Sequence, residues 1–189
     1  MALETSELTD EQLAAVAARE DSDGPAFLEL LARHQQRVWR ICWRLMGSQE
    51  DTNDAAQEVC VRMFLHRAKF AGRSRYSTWV HGIAARTCLA IRRGRSRRQR
   101  REKAAGELSA RKTDKAGGHH TELALDLAHM LETLDETDRG LLIMKYAEGH
   151  RYEELAQMFD LSVSACKMRI SRAREHLKQR FPEQSFGTD

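Results

Sequence analysis

The sequence predicts an all-α protein made of two small helical domains joined by a flexible linker, and three observations lead to this fold class. Hydrophobic residues make up 41% of the 189 residues, which is enough for modest cores. The chain contains only two prolines, so long helices can run without interruption. Apolar residues recur at three- and four-residue steps in two blocks, and no segment shows the two-residue alternation of a strand.

The first block predicts three helices. Pro25 favours a helix start and Gly47 a helix end, so the first helix should run between them. Ser48 can cap the second helix and Ser77 the third. The apolar positions expected to face the core are Phe27, Leu28, Leu31, Val38, Ile41, Cys42 and Leu45 in the first helix, Ala55, Val59, Met63 and Phe64 in the second, and Trp79, Val80, Ile83, Ala84, Thr87, Cys88 and Ile91 in the third.

The second block ends in a predicted helix-turn-helix. Two short helices, Tyr152 to Phe159 and Val163 to about Phe181, are separated by a turn at residues 160–162, where Ser162 or Ser164 can cap the second helix. The inward positions are Leu155, Ala156 and Phe159, then Val163, Cys166, Ile170 and Ala173. The outward positions of the second helix are Ser164, Ala165, Lys167, Met168, Ser171 and Arg172. A helix-turn-helix places such a face in the major groove of DNA.

Charge is distributed unevenly along the chain. Residues 1–31 hold eight acids and one base, whereas residues 92–103 hold seven arginines and one lysine against one acid. The last helix is also basic, so two separate clusters suggest two contacts with a polyanion. The alternative for each cluster is a solvated helix face. The acidic N-terminus could repel nucleic acid or dock on a basic partner.

Several classes of function are excluded or disfavoured. The longest stretch without a charged residue has ten residues, whereas a membrane-spanning helix needs roughly 20, and an acidic N-terminus is unlike a secretory signal. A cytoplasmic protein with reduced cysteines is therefore expected, since the four cysteines form no C-x-x-C pair. The pair His119-His120 has no Cys or acid at ligand spacing, so no metal or other cofactor is predicted. The sequence contains no plausible nucleophile–base constellation, so no enzymatic activity is predicted.

Both blocks resemble regions of bacterial sigma factors. The segments that resemble region 4 are Leu134 through Tyr146, Glu148-Gly149, residues 152–156 and residues 172–174. Residues 54–59 followed by Phe64 are similar to region 2.2, and residues 69–79 followed by Ile83-Ala84 to regions 2.3 and 2.4. Because regions 2 and 4 are joined by a short linker, without anything like regions 1.1 or 3, the chain resembles the extracytoplasmic-function group over residues 24–182.

The resemblance implies a promoter-specificity subunit of RNA polymerase without catalysis of its own. Its implied partners are core RNA polymerase, promoter DNA and an anti-sigma factor. Core binding would use Asp54, Gln57, Glu58, Val59 and Phe64. The single-stranded −10 element would be read by Lys69, Arg73, Ser74, Arg75, Tyr76, Ser77, Thr78 and Trp79, with a flipped base captured by the loop 71–77. The alternative for Trp79 is that its side chain packs in the core and does not contact DNA. The duplex −35 element would be read by Ser164, Ala165, Lys167, Met168, Ser171 and Arg172.

These interpretations divide the chain into five parts. They are an acidic N-terminal extension (1–23), region 2 (24–103), a linker (104–121), region 4 (122–182) and a tail (183–189). A helix-turn-helix transcriptional regulator that does not bind core polymerase is the alternative function, but it leaves residues 54–64 and 69–79 unexplained. A small metal-dependent hydrolase is a third hypothesis, and it lacks the expected motifs.

Overall fold

The structure is a computed structural model that describes residues 5–20, 24–104 and 122–182, with the side chains of residues 122–126 left aside. It divides into two compact units, Met1–Ile91 and Arg92–Asp189. The predicted all-α fold in two helical parts is confirmed, since the described ranges contain no strand. Residues 105–121, which include His119 and His120, lie outside the described residues, as does the tail 183–189.

The regular structure of the described ranges consists of helices that follow one another at short intervals. They are α1 (Asp10–Ala17), α2 (Pro25–Met46), α3 (Gln49–His66), α4 (Tyr76–Ala104), α5 (Glu122–Glu132), α6 (Glu136–Leu142), α7 (Tyr152–Phe159) and α8 (Val163–Arg180). Two 3-10 turns cover Thr5–Glu7 and Arg67–Lys69, and a π-helical turn, Ile143–Ala147, follows α6. None of these helices combines the length and the apolar character needed to cross a membrane.

The helix boundaries of the first unit largely follow the predicted signals. α2 begins at Pro25 and ends at Met46, and Gly47 after it has a φ of 82°, in the left-handed region that favours glycine. The Ser48 hydroxyl accepts a backbone N–H in the first turn of α3. α4 begins at Tyr76, one residue before the predicted cap Ser77, because tertiary contacts described below satisfy its first N–H.

The buried stripe of α2 differs from the predicted one at two positions. Leu28 is 50% exposed and Leu31 is half-buried. Besides the predicted Phe27, the core is reached by Leu30 and His34. These three residues follow one another at steps of three and four residues and therefore share one face. The prediction followed these steps only in part, so it included Leu28 and Leu31 and missed Leu30 and His34.

The N-terminal acidic residues form part of the first unit. α1 packs against α2 and against the Arg67–Lys69 turn, and it buries Leu13, Ala14 and Ala17. Thr9 and Gln12 form a capping box at its start, in which two free N–H groups are satisfied reciprocally. The segment is thus a packed helix in which Asp10 is half-buried and Glu11 is exposed.

The helix-turn-helix of the second unit is present where it was predicted. Leu155 and Met158 are the buried residues of α7, whereas Ala156 and Phe159 are half-buried. α8 buries Cys166, Ile170, Ala173 and Leu177. Of the two candidate caps, Ser162 is the one used, since its hydroxyl accepts the Ala165 N–H at 3.1 Å.

Candidate polymerase and nucleic-acid interfaces

One face of α3 presents polar and apolar side chains together. Asp54 and Gln57 are exposed and Glu58 is half-buried. Val61 is 52% exposed and Leu65 is 63% exposed. Asp54, Gln57, Val61 and Leu65 succeed one another at steps of three and four residues, so they lie on one side of the helix. This exposed apolar pair beside an acidic group could dock on another protein.

Two residues predicted to bind core polymerase are held by the first unit's own packing. Val59 is fully buried, so its assignment to the docking surface is wrong. Phe64 is half-buried, with its ring 5.4 Å from that of Phe27 and the Arg67 guanidinium 3.9 Å from its ring centroid. Val61 and Leu65 supply the exposed apolar area instead. They could have been predicted from the sequence, because they continue the three- and four-residue steps that begin with Asp54 and Gln57.

An exposed loop, residues 71–75, leads from the Arg67–Lys69 turn region into α4. Arg73 and Arg75 are exposed, and Ser74 is half-buried. Gly72 has a φ of 67°, a backbone conformation that glycine adopts without strain. Together with exposed Lys69, the loop offers three cations around an accessible backbone, which suits the phosphates of a single strand.

Aromatic rings pack at both ends of this loop. The Phe70 ring lies 5.2 Å from Tyr76 and 5.7 Å from Trp79, and the latter two are 5.5 Å apart. Tyr76 is 1% exposed and Thr78 is 3% exposed, whereas Ser77 and Trp79 are half-buried. The prediction that Tyr76 and Thr78 present their side chains to DNA is wrong for this conformation, because the packing of the loop ends covers them.

The second unit presents the predicted outward face of α8. Ser164, Lys167, Met168, Ser171 and Arg172 are exposed and Ala165 is half-buried. Helical phase accounts for this result, because the buried Cys166 and Ile170 fix the opposite side. α8 begins at Val163. The partly positive N–H groups of its first turn therefore lie close to Ser164 and Lys167, at the start of the outward face.

A groove next to this face contains residues that the sequence predictions missed. Its volume is about 290 Å³, and it is lined by Tyr152, Lys167, Ile170, Ser171, Arg174, Glu175 and Lys178. The ammonium groups of Lys145 and Lys167 lie 4.5 and 5.5 Å from the Tyr152 ring centroid, a cation–π geometry. Because Lys145 and Tyr152 belong to different elements, no local spacing signals this basic and aromatic cluster.

A pair of acids holds α8 in place. Arg169 donates to Asp138 at 2.6 Å and to Asp135 at 3.0 Å. Burial alone would raise the pKa of Asp135, but hydrogen bonds from Thr137 and the positive charge of Arg169 hold it below its ordinary value. This carboxylate therefore stays ionised, and its bond to Arg169 anchors α8 to the start of α6.

The arginine-rich stretch forms the last part of α4. Arg92 pairs with Glu136 at 2.5 Å, and Arg93 donates to Thr137 at the same distance. Arg98 pairs with Glu102 one turn later, at 2.8 Å. Most of the remaining arginine side chains are exposed, and both interpretations of the cluster, a polyanion contact and a solvated helix face, stay predictions.

In the ranges that the structure describes, the potential metal ligands do not form a metal site and the cysteines do not form a disulfide. No group of three or more His, Cys, Asp or Glu side chains there could hold a metal ion. The four cysteines are free, and three of them, Cys42, Cys88 and Cys166, are buried. Burial raises the pKa of Cys60 and of Cys166, which keeps these thiols protonated at neutral pH.

Family models match both units. The model for Sigma-70 region 2 matches residues 30–98, and the model for Sigma-70, region 4 matches residues 124–177. The chain belongs to the sigma-70 family. The region 2 match contains the α3 face and the loop 71–75, and the region 4 match contains α7 and most of α8. A regulator built only around a helix-turn-helix does not account for the match over residues 30–98.

Curated relatives place this sigma-70 family chain in the extracytoplasmic-function (ECF) group. It is 28% identical to the ECF RNA polymerase sigma factor SigE of Mycolicibacterium smegmatis, a match that covers 87% of this chain and 65% of that protein. It is 26% identical to SigW of Bacillus subtilis, covering 83% and 89%. It is 28% identical to the ECF sigma-E factor of Escherichia coli K12, covering 90% and 93%.

Two solved structures share the fold. The structure of CnrH in complex with the cytosolic domain of CnrY superposes with a TM-score of 0.64 at 23% identity, covering 93% of this chain and 99% of that one. The sigma factor RpoE of Bartonella quintana, in complex with the anti-sigma factor NepR, gives a TM-score of 0.63 at 19% identity, covering 81% and 94%.

Proposed function

We propose that this chain is the sigma subunit that directs core RNA polymerase to its promoters, in the cytoplasm and without catalysis of its own. The observation that carries the proposal is the presence of both matched regions in one chain, each with an exposed surface of suitable chemistry. The first unit has a protein-docking face and a basic loop, and the second has an exposed recognition helix.

Core polymerase would dock on the exposed face of α3. Val61 and Leu65 give an apolar centre that loses water on binding, which is how most interface energy is gained. Asp54 and Gln57 flank it, and acidic groups select a basic partner and fix its orientation. Glu58 pairs with Arg62 at 2.6 Å and therefore contributes a smaller part of the negative charge.

The −10 element would be bound as a single strand by the loop 71–75. Lys69, Arg73 and Arg75 would neutralise its phosphates, and the half-buried Trp79 offers a ring on which a base can stack. Tyr76 and Thr78, which are buried just after the loop, would position it, and the Ser74 and Ser77 hydroxyls could donate hydrogen bonds to a base.

The −35 element would be read in the major groove by the outward face of α8. Arg172 can donate two hydrogen bonds to a guanine edge, whereas Lys167 beside the Tyr152 ring is placed to contact a phosphate. Ser164, Ala165, Met168 and Ser171 would complete the face with small and apolar contacts. The basic groove that continues to Arg174 and Lys178 extends the phosphate contact along the duplex.

We also propose that an anti-sigma factor regulates this chain. The two structural neighbours were each solved in complex with a second protein, which in one of them is an anti-sigma factor, and this chain shares their fold. An inhibitor that covers Val61 and Leu65 would bury exposed apolar surface and exclude core polymerase from the same face.

The decisive experiment is reconstitution with core RNA polymerase. Purified chain should bind core and support run-off transcription from templates selected out of a randomised promoter library. The double substitution Val61→Glu with Leu65→Glu should weaken core binding by roughly tenfold or more, since each change buries a charge in an apolar contact. Val16→Glu is the matched control, because Val16 is 45% exposed on α1.

Two further results would separate the hypotheses. Gln57→Ala with Glu58→Ala should weaken core binding while the free energy of unfolding changes by less than about 0.5 kcal/mol, because Gln57 is exposed and the Glu58–Arg62 ion pair lies at the surface. A wild-type chain that binds duplex DNA through α8 but neither binds core nor supports initiation would contradict the proposal and support the regulator.

A further inference from the structure

We propose that the acidic N-terminal segment, residues 5–20, is a clamp that positions the −10 loop, and that Glu11 is its main positioning residue. The inference rests on the proposed function, in which the loop 71–75 binds the −10 strand. The acids of this segment thus act inside the first unit, rather than by repelling nucleic acid or by docking on a basic partner.

Glu11 acts at the point where the loop becomes a helix. Its carboxylate accepts the backbone N–H of Tyr76 at 3.1 Å, across 65 residues of sequence. The first N–H groups of a helix have no partner inside the helix, and a negative charge there also interacts favourably with the helix dipole. Glu11 therefore replaces the cap that Ser77 was predicted to provide, and it fixes the first residue after the loop.

Asp10 holds the same region from a second direction. Its two carboxylate oxygens bind Arg33 at 3.1 Å and His34 at 2.8 Å, and the His34 ring lies 5.4 Å from that of Tyr76. Burial raises the pKa of Tyr76 well above its ordinary value, and the negative charge of Asp10 adds to this rise. Asp10 and Glu11 thus both act on Tyr76.

The clamp is itself tied down at both ends. The Arg33 guanidinium donates to the Leu8 carbonyl at 2.8 Å. Arg67 donates to the carbonyls of Ala17 at 3.1 Å and Glu20 at 2.9 Å. Arg67 lies three residues before Phe70, so the segment contacts the chain on the entry side of the loop as well as on its exit side.

These contacts connect the clamp to the proposed base pocket. Tyr76 packs against Phe70 and Trp79, which stand at the two ends of the loop. A change in the first turn of α4 therefore moves the ring on which a base would stack. A loop that is already ordered loses less conformational freedom when it binds, so the clamp should raise both the affinity and the base preference for the single strand.

The test compares two exchanges at Glu11 with a control in the same segment. Glu11→Ala removes the acceptor and the charge, Glu11→Gln keeps an acceptor oxygen, and Glu7→Ala removes an equal charge from an exposed position. The probe is a single-stranded oligonucleotide that wild-type holoenzyme enriches from a randomised pool, alongside its base-scrambled version. Amide hydrogen exchange over residues 70–79 is measured in the free chain.

Glu11→Ala should weaken binding of the enriched strand by up to roughly tenfold, because a lost cap destabilises the first turn of α4 and leaves the loop less ordered before binding. The ratio of affinities between the enriched and the scrambled strand should fall as well. Glu11→Gln should lose less, and Glu7→Ala should match wild type. Exchange over residues 70–79 should be faster only in the Glu11 variants, while core binding and duplex binding by α8 stay unchanged.

Two outcomes would overturn the clamp. One is a Glu11→Ala chain with wild-type exchange and wild-type strand preference. The other is an equal loss of core, duplex and strand binding, which would indicate general destabilisation. If wild-type holoenzyme enriches no strand at all, the proposed function fails, and the exchange measurement still decides whether Glu11 orders the loop.

Discussion

The two units order their candidate DNA-binding surfaces in different ways. In the second unit the surface is one face of α8, and local features set its geometry: the helical phase and the Ser162 cap. In the first unit the surface is the loop 71–75, whose ends are held by the rings of Phe70 and Tyr76 and by Glu11, far away in the sequence. A helix can carry its own recognition geometry, whereas a loop must obtain it from tertiary contacts.

The largest effect that this comparison predicts belongs to Tyr76. Tyr76→Ala should cost the first unit about 3–5 kcal/mol of unfolding free energy, as expected when a large buried aromatic is removed, because Tyr76 is 1% exposed and packs against three rings. The second unit should keep its stability. Residue-resolved amide exchange in urea reports the two units separately.

Tyr76→Phe provides the matched control. The Tyr76 hydroxyl is buried without a hydrogen-bond partner among the described residues, and an unsatisfied buried hydroxyl carries a desolvation cost. Stability should therefore be unchanged or slightly higher in Tyr76→Phe. A loss as large as that of Tyr76→Ala would mean that the hydroxyl, and not the ring, holds the loop.

A smaller effect is expected in the second unit, at the cap of its recognition helix. Ser162→Ala should lower the unfolding free energy of the second unit by about 1 kcal/mol, because the Ala165 N–H loses its acceptor. Ser171→Ala, at an exposed position later in α8, is the control and should stay within about 0.5 kcal/mol. Equal losses in a urea titration would show that Ser162 does not act as a cap.

The same contrast explains how far the sequence could predict the site. Caps, stop glycines and helical phase are local, so the helix-turn-helix and its outward face were predictable from α7 and α8 alone. Val59 and Tyr76 were assigned to binding surfaces because the family resemblance implied it, but both are buried, as helical phase had already indicated for Val59. The hydrogen bond from the Tyr76 N–H to the Glu11 carboxylate could not be predicted, because no sequence pattern around either residue indicates the other.

The second unit also contains one charge whose environment only the fold sets. Arg139 is 4% exposed, and its Nε and Nη1 atoms have no hydrogen-bond partner within the residues that the structure describes. Burial lowers the pKa of Arg139 to about 10, repulsion from Arg92 adds to this, and Glu136 and Glu132 oppose it. At neutral pH the folded state therefore holds a charge in a place that disfavours it.

The smallest effect predicted is a gain from removing this charge. Arg139→Met should leave the unfolding free energy unchanged or raise it by about 1 kcal/mol at pH 7, because the apolar side chain avoids the desolvation cost of a buried guanidinium that is incompletely hydrogen-bonded. A base with a lowered pKa in the folded state costs stability below that pKa, and the cost fades as the pH rises through about 10 towards the unfolded value. The advantage of Arg139→Met should accordingly shrink in urea titrations above pH 10.

In the first unit, Arg33→Met should instead lower the free energy of unfolding, because Arg33 is hydrogen-bonded to Asp10, to Glu29 and to the Leu8 carbonyl. A clear loss of stability in Arg139→Met at pH 7 would mean that this guanidinium is as well satisfied as that of Arg33.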